Sequence, residues 1–265
     1  MSFETIQYEA KDGVVRVTFN RPKVFNAYSE QMSQELKEAV ELIKKDNSVR
    51  VVIMSGAAQN FLAGADINML QSWSKIATEQ GWQAVRKILD NHFSPTLLEK
   101  LAQPVIAVVE GMAWGMGCEI ALACDLRICT DSASFAQPEI NLGIITGGGA
   151  SQRLPRIVGK AKAMEMILTG KPIKADDAYK WGLVNHVVSP EKLDEITQKL
   201  IKDIMAKSPL TVKSSKECVN LVLDHDLEPG IDKELTQFAK AFATNDAKEG
   251  TAAFLEKRKA NFTGN

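Results

Sequence analysis

Residues 104–109 (PVIAVV) form an almost uninterrupted apolar run, too short for a membrane span and too rich in β-branched residues for a typical helix. Such a run is typical of a strand buried on both faces of a parallel sheet. Three glycines follow it, and then residues 118–124 (CEIALAC) have the small, apolar composition of a buried helix. A buried strand, a glycine-rich turn and a buried helix predict a layered α/β fold.

The same alternation extends over the first 190 residues. Residues 14–19 and 50–54 have strand patterns, and between them the apolar residues of 29–45 recur at helical spacing. Further strands are predicted at 126–129 and 184–188, with helices at 149–158 and 161–168 and a helical stretch at 67–101 that is interrupted around Ser94-Pro95. After Pro190 only helical patterns appear, at 192–207, 209–224 and 231–243. We therefore expect an α/β core over residues 1–190 and a helical region over residues 191–265.

Composition narrows the classes of partner. Of the 265 residues, 45% are hydrophobic, and 32 Lys and Arg oppose 33 Asp and Glu for a net charge of −1. A chain with so nearly balanced a charge is not expected to have the basic surface that binds nucleic acids or anionic membranes. Small molecules or other protein chains are therefore the expected partners. The first ten residues have no targeting pattern, so we expect a cytoplasmic protein. The three histidines lie far apart in sequence, and no CxxC pair occurs, so no metal site is predicted.

Glu119 stands out because its helix is otherwise apolar. In one interpretation it is a solvent-facing residue in the first helical turn, stabilised by the helix dipole. In the other it is a desolvated carboxyl with a raised pKa, suited to acid–base chemistry. The residues alone support both interpretations equally.

Glu139 is a second candidate, in a loop that Pro138 restrains just before the glycine-rich residues 143–149. Two carboxyls in one pocket can divide the roles of acid and base. The turns around Met116 and Ala65 each precede a helix and could supply backbone N–H groups to a developing oxyanion. Turns chosen only for packing are the alternative for both.

Several short motifs then match a known family in order and spacing. The chain resembles the crotonase superfamily, and within it the enoyl-CoA hydratases, from the Asn20-Arg21-Pro22 turn to the C-terminal segment 254–260. The matching segments are 61–66 (FLAGAD), 104–107 with Glu110-Gly111, Gly117-Cys118-Glu119, Cys124-Asp125, Phe135 with Gln137-Pro138-Glu139, Gly143, Gln152-Arg153-Leu154 and Gly182-Leu183-Val184.

The resemblance implies a spiral of ββα units with two nearly perpendicular sheets and a C-terminal helical trimerisation region, in a homotrimer or homohexamer. It implies that Glu119 and Glu139 are the catalytic carboxyls and that the N–H groups of Ala65 and Met116 form an oxyanion hole. Gly147 matches a position near the attacking water. Lys23, Val24, Ala63, Asp66 and Ile67 match segments that line the CoA site, and Phe254 and Lys257 match residues that reach a neighbouring subunit's CoA.

The activity so implied is the reversible hydration of an α,β-unsaturated acyl-CoA, in fatty or aromatic acid degradation, with no metal and no cofactor beyond the substrate's CoA. A double-bond isomerase is the alternative enzyme, but isomerases of the superfamily commonly keep only the carboxyl at Glu139. An RNA-binding or scaffold protein is the non-enzymatic alternative, and the near-neutral charge disfavours RNA. Trp114, Met116 and Thr146 depart from the common pattern, so cyclic enoyl or dienoyl groups are candidate substrates.

Overall fold

In the computed structural model of the chain, the described part comprises residues 3–265, apart from the side chain of Leu223. Its strands are β1 (Ile6–Lys11), β2 (Val14–Phe19), β3 (Val51–Gly56), β4 (Leu62–Ala63), β5 (Val105–Val109), β6 (Met112–Trp114), β7 (Leu126–Thr130), β8 (Ser134–Ala136), β9 (Ile173–Lys174) and β10 (His186–Val188). Its α-helices are α1 (Glu30–Lys45), α2 (Ile67–Gln80), α3 (Trp82–Asn91), α4 (Thr96–Glu99), α5 (Met116–Ala123), α6 (Ala150–Val158), α7 (Lys160–Thr169), α8 (Ala175–Lys180), α9 (Pro190–Met205), α10 (Pro209–Asn220), α11 (Leu227–Ala241) and α12 (Asn245–Leu255).

Six strands form one sheet in the order β1-β2-β3-β5-β7-β10, in which only the β1–β2 pair is antiparallel. Strand β5 is buried at all five positions, as its continuous apolar run predicts. The predicted strands at 14–19, 50–54, 104–109, 126–129 and 184–188 are confirmed within two residues at each end. The first strand, β1, was not predicted, because only Ile6 of its residues is fully buried.

A second sheet has the order β4-β6-β8-β9, with the first three strands parallel. The chain enters the larger sheet with β3, β5 and β7, and passes each time into the smaller sheet with β4, β6 and β8 before a helix follows. This repetition is the predicted spiral of ββα units. The strands of the smaller sheet are only two or three residues long, which is too short for a periodic pattern in the sequence.

The helices follow their capping and periodic signals. Helix α1 begins where the Ser29 hydroxyl accepts a hydrogen bond from the Met32 N–H, at 3.2 Å, and its apolar residues are buried. The predicted helical stretch 67–101 is divided into three helices rather than two. The additional break lies at Gly81, whose φ of +84° ends α2 and begins α3.

By internal contacts the chain forms two units. One contains residues 3–101 and 105–193, with both sheets, and the other contains residues 102–104 and 194–265. Within the described part, the second unit has helices and no strands, as the pattern after Pro190 predicts. Helix α12 ends at Leu255, so the segment that resembles the family's C-terminus is helical only at its first two residues. No helix among residues 3–265 has the length and apolar character to cross a membrane.

Candidate active site

The candidate residues lie where three parallel strands of the smaller sheet end. In β4 and β6, Ala63 is opposite Trp114, so the residues that follow, Gly64-Ala65 and Gly115-Met116, leave the sheet side by side. Strand β8 runs parallel to β6 on its other side and leads to Glu139. Because parallel strands end at one edge of a sheet, the topology gathers both glycine turns and both carboxyl-bearing segments there.

The first turn presents the backbone N–H of Ala65. Tyr28 donates its N–H to Gly64 O and accepts from Asp66 N, both at 2.8 Å, which makes a parallel bridge to Ala65. In such a bridge the residue between the two bonded positions directs its own N–H away from the partner strand. Among the described residues no atom accepts from the Ala65 N–H. Gly64 enters this turn at a φ of +93°, which only glycine adopts readily.

The second turn presents the backbone N–H of Met116. Gly115, at a φ of +50°, donates its N–H to Ala136 O at 2.9 Å, and Met116 then begins α5. The first N–H groups of a helix have no partner within it, and no described residue accepts from that of Met116. A Cβ added to Gly115 would lie 3.4 Å from the Gly64 Cα, so the two turns are in close approach.

Glu119 is buried, with 2% of its surface exposed, which decides between the two interpretations of its position. Its Oε1 accepts hydrogen bonds from Gly148 N at 2.6 Å and Ala150 N at 3.1 Å, at the N-terminus of α6. Burial raises the pKa of Glu119, while these N–H groups and the charge of Arg153 oppose the rise. The carboxyl is thus desolvated and held in place by the loop before α6.

Glu139 lies in a short 3₁₀ helix, Pro138–Leu142, and is half-buried. Its Oε1 is beside Gly115, since a Cβ added there would be 3.1 Å from that oxygen. Burial raises the pKa of Glu139 to about 7, and the negative charge of Glu119 adds to the rise. The two carboxyls are therefore close enough to interact electrostatically, and the second turn lies beside Glu139.

Three polar residues of the site have roles that sequence reasoning missed. Gln137, fully buried, donates its side-chain amide to both Glu139 oxygens at 3.2 and 3.3 Å, in the orientation that satisfies both ends of the amide. The Arg127 guanidinium, also buried, donates to Cys124 O and Ala121 O at the C-terminus of α5. Arg153 donates to Gly148 O at 2.9 Å. In the sequence, Gln137 and Arg153 appear only within motifs of the matching family, and Arg127 only as an arginine in an apolar strand.

The remaining predicted residues lie in two places. Lys23 and Val24 are in a short 3₁₀ helix beside the first turn, because Phe25 O accepts from Ala63 N at 3.1 Å. Asp66 caps α2 and forms an ion pair with Arg21 at 2.9 Å, and Ile67 is exposed next to it. Gly147 is exposed immediately before Gly148. Phe254 and Lys257 lie in the second unit, at and just after the end of α12.

Comparison with known proteins assigns the chain to one family. A sequence model described as enoyl-CoA hydratase/isomerase matches residues 9–265. The chain belongs to this family. It is 40% identical to a crotonyl-CoA hydratase of Syntrophomonas wolfei subsp. wolfei over 99% of both chains, and 38% identical to a short-chain-enoyl-CoA hydratase of Clostridium acetobutylicum over 98% and 97%. The crystal structure of an enoyl-CoA hydratase from Bacillus anthracis has a TM-score of 0.89 at 34% identity, covering 99% of this chain and all of the other.

Membership of the enoyl-CoA hydratase/isomerase family confirms the resemblance and the fold drawn from the sequence. The buried state of the first three cysteines, Cys118, Cys124 and Cys129, also agrees with their apolar surroundings. In this member of the family, the site combines two backbone N–H donors and two carboxyls with raised pKa values at one edge of the smaller sheet.

Proposed function

We propose that the protein adds water reversibly to the double bond of an α,β-unsaturated acyl-CoA thioester. The observation that carries the proposal is the pairing of two unpartnered backbone N–H groups, of Ala65 and Met116, with two desolvated carboxyls, Glu119 and Glu139. Two relatives at about 40% identity, a crotonyl-CoA hydratase and a short-chain-enoyl-CoA hydratase, support the same reaction.

The two N–H groups would bind the thioester oxygen. Attack of water at Cβ moves electron density onto that oxygen as an enolate forms, and preorganised donors stabilise the developing charge. Each such donor is worth about 3 to 4 kcal/mol by analogy with measured oxyanion holes. Because these donors take up the enolate charge, we propose that the reaction uses no metal and no cofactor beyond the CoA of the substrate.

The two carboxyls would divide the proton transfers of hydration. The Glu119 carboxylate, stabilised by the Gly148 and Ala150 N–H groups, accepts a proton from the attacking water as its oxygen bonds to Cβ. Glu139, in its protonated form, gives a proton to Cα as the enolate collapses. Gly147, exposed beside Gly148, would hold the water with its N–H. Dehydration runs through the same steps in reverse, with Glu139 as the base.

The roles of the carboxyls predict the same pH dependence for the two directions. The pKa of Glu139 is raised to about 7, and hydration needs its protonated form, so kcat/KM for hydration should fall as pH rises through about 7. Hydration takes up no net proton, and dehydration needs the same single proton on the pair, now on Glu119 to protonate the leaving hydroxyl, so kcat/KM for dehydration should fall over the same range. Rate profiles measured in both directions check this, and a hydration rate that rises through about pH 7 would reverse or remove the role given to Glu139.

The substrate class can be tested with a panel of acyl-CoAs. Straight-chain, cyclic and dienoyl thioesters are each mixed with the enzyme, and the loss of the conjugated enoyl absorbance is followed together with the mass of the product. We expect a gain of one water on at least one member. The absence of any hydrated product across the panel, with a folded protein, would contradict the proposed function.

The acyl preference should depend on the side chain of Met116, which is partly buried against the core, with Trp114 two residues before it. Met116→Gly keeps the backbone N–H and removes the side chain, so activity should persist. The preference between ring-bearing and straight-chain substrates should shift by about 1 to 3 kcal/mol in kcat/KM. An unchanged preference across the panel would show that Met116 does not face the acyl group, and would weaken the case for cyclic or dienoyl substrates.

The second unit should mediate assembly into a trimer or hexamer. Large apolar side chains of this unit are exposed, among them Val222, Phe238, Phe242 and Phe254, the last with 84% of its surface exposed. Leu221 is partly buried, and the side chain of Leu223 lies outside the described part. We expect light scattering to give the mass of a trimer or hexamer. A stable monomer at micromolar concentration would remove the proposed reach of Phe254 and Lys257 to a neighbour's CoA.

Residues of the first unit would line the CoA site next to the oxyanion turns. Lys23 and Val24 are joined to the first turn through the hydrogen bond between Phe25 and Ala63, and the exposed Ile67 begins the helix that follows it. Asp66 is engaged by Arg21 and by the α2 cap, so its contribution would be to hold this turn rather than to contact CoA through a free carboxylate.

A further inference from the structure

Arg153 on α6 joins three elements behind the Glu119 carboxyl. Its Nε and Nη2 bind the two oxygens of Glu99, on α4, at 2.6 and 2.8 Å, and Nη2 also donates to Thr96 Oγ1 at 2.7 Å. Both charged side chains are largely buried, at 12% and 20% exposure. A bidentate pair of this kind fixes the orientation of the guanidinium plane, which a lysine could not reproduce.

The third nitrogen of the Arg153 guanidinium, Nη1, contacts the loop before α6. Nη1 donates to Gly148 O at 2.9 Å, and the N–H of the same residue donates to Glu119 Oε1 at 2.6 Å. Gly148 is thus held on one side by Arg153 and itself holds Glu119 on the other. A Cβ at Gly148 would be 2.5 Å from Glu119 Oε2, so the backbone at Gly148 packs directly against the carboxyl.

We propose that Arg153 is a positioning residue for the catalytic carboxyl Glu119, acting through Gly148 and through its own charge. The inference rests on the proposed function for its kinetic consequence, since Glu119 must be ionised and correctly oriented to accept a proton from water. The charged groups that act on Glu119 are then Arg153, which favours the carboxylate, and Glu139, which disfavours it. The alternative is that Arg153 only ties α6 to α4.

The test compares Arg153→Met and Arg153→Lys with Arg156→Met. Arg156 lies on the same helix, is exposed, and donates to Gln152 O, so it is a matched control that leaves Gly148 untouched. The first readout is steady-state hydration kinetics. The second is the pH at which Glu119 protonates, followed by pH-difference infrared spectroscopy, with Glu119→Gln identifying the carboxyl band.

In Arg153→Met we expect kcat to fall about 10- to 100-fold with KM within about twofold, and the protonation of Glu119 to move up by about one pH unit. Arg153→Lys restores the positive charge but not the bidentate geometry of the guanidinium. The pH at which Glu119 protonates should therefore return toward the wild-type value, while kcat stays reduced. Arg156→Met should match the wild type in both readouts.

An unshifted Glu119 titration in Arg153→Met, whatever its kcat or melting temperature, would overturn the proposal and leave only the tie between helices. The infrared titration does not depend on turnover. If the wild type hydrates no enoyl-CoA, the proposed function fails, but the shift in Glu119 still decides whether Arg153 acts on this carboxyl.

Discussion

Replacing Glu139 with glutamine is expected to lower kcat for hydration by roughly 10²- to 10⁴-fold while acyl-CoA binding persists. The substitution keeps the size of the side chain but removes the proton that is given to Cα, and both oxyanion turns remain in place. Glu119→Gln should have a loss of the same order, because an amide cannot accept the proton of the attacking water. Stopped-flow hydration rates and calorimetric binding of a saturated acyl-CoA measure the two effects separately.

The same pair of variants can disprove the assignment. A variant that is folded and keeps more than about a tenth of wild-type kcat is incompatible with a positioned acid or base at that residue. If Glu119→Gln retained activity while Glu139→Gln lost it, the protein would use one carboxyl only, as an isomerase does. Loss of binding in either variant would instead indicate that the carboxyl helps to hold the thioester.

Placing a methyl group on Gly148 should inactivate the enzyme without unfolding it. In Gly148→Ala the new Cβ would be 2.5 Å from Glu119 Oε2 and 2.8 Å from its Cδ, so the carboxyl must move away. The two nearest atoms belong to the end of the Glu119 side chain, and the third, its Cβ at 3.2 Å, needs to move by only a few tenths of an ångström. A displacement of about 1 Å at a catalytic group can cost about 10²-fold, and we expect a loss of kcat of that order.

Gly230→Ala is the matched control, because an added Cβ there meets no atom within 4 Å and the position is within helix α11. It should keep wild-type kcat and have an equal or slightly higher melting temperature, because alanine favours a helix more than glycine does. If Gly148→Ala were as active as this control, the close contact between Gly148 and Glu119 would have no catalytic consequence. A crystal structure of the inactive variant should show the Glu119 carboxyl rotated from Ala150 N.

Five of the six strands of the larger sheet, all except β1, could be predicted from the sequence because they are short apolar runs rich in β-branched residues. Strand β5, buried at every position, gave the clearest pattern. The smaller sheet escaped prediction although it carries the site, since β4 and β9 have two residues each and β6 and β8 three. These strands form by pairing with segments about 20 to 50 residues away in the chain. The spacing of apolar residues within one segment gives no information about such pairing.

The candidate site was likewise predictable from the sequence only in part. Glu119 and the two glycine turns were visible as local motifs, but whether Glu119 is buried depends on the loop at 148–150, about 30 residues later. Arg153 appeared only as part of a family motif, because its partners Glu99 and Thr96 lie more than 50 residues away. Polar residues whose role is to hold another residue leave little trace in one sequence.

The central claim, that this protein adds water across an enoyl-CoA double bond, is tested most directly by a single turnover in ¹⁸O-labelled water. The product is isolated before the reverse reaction exchanges label, and its mass and fragment masses are measured. We expect one heavy oxygen, located in the new hydroxyl at Cβ, and none in Glu119→Gln within the same time. A product of unchanged mass, with its double bond moved and no label incorporated, would contradict it.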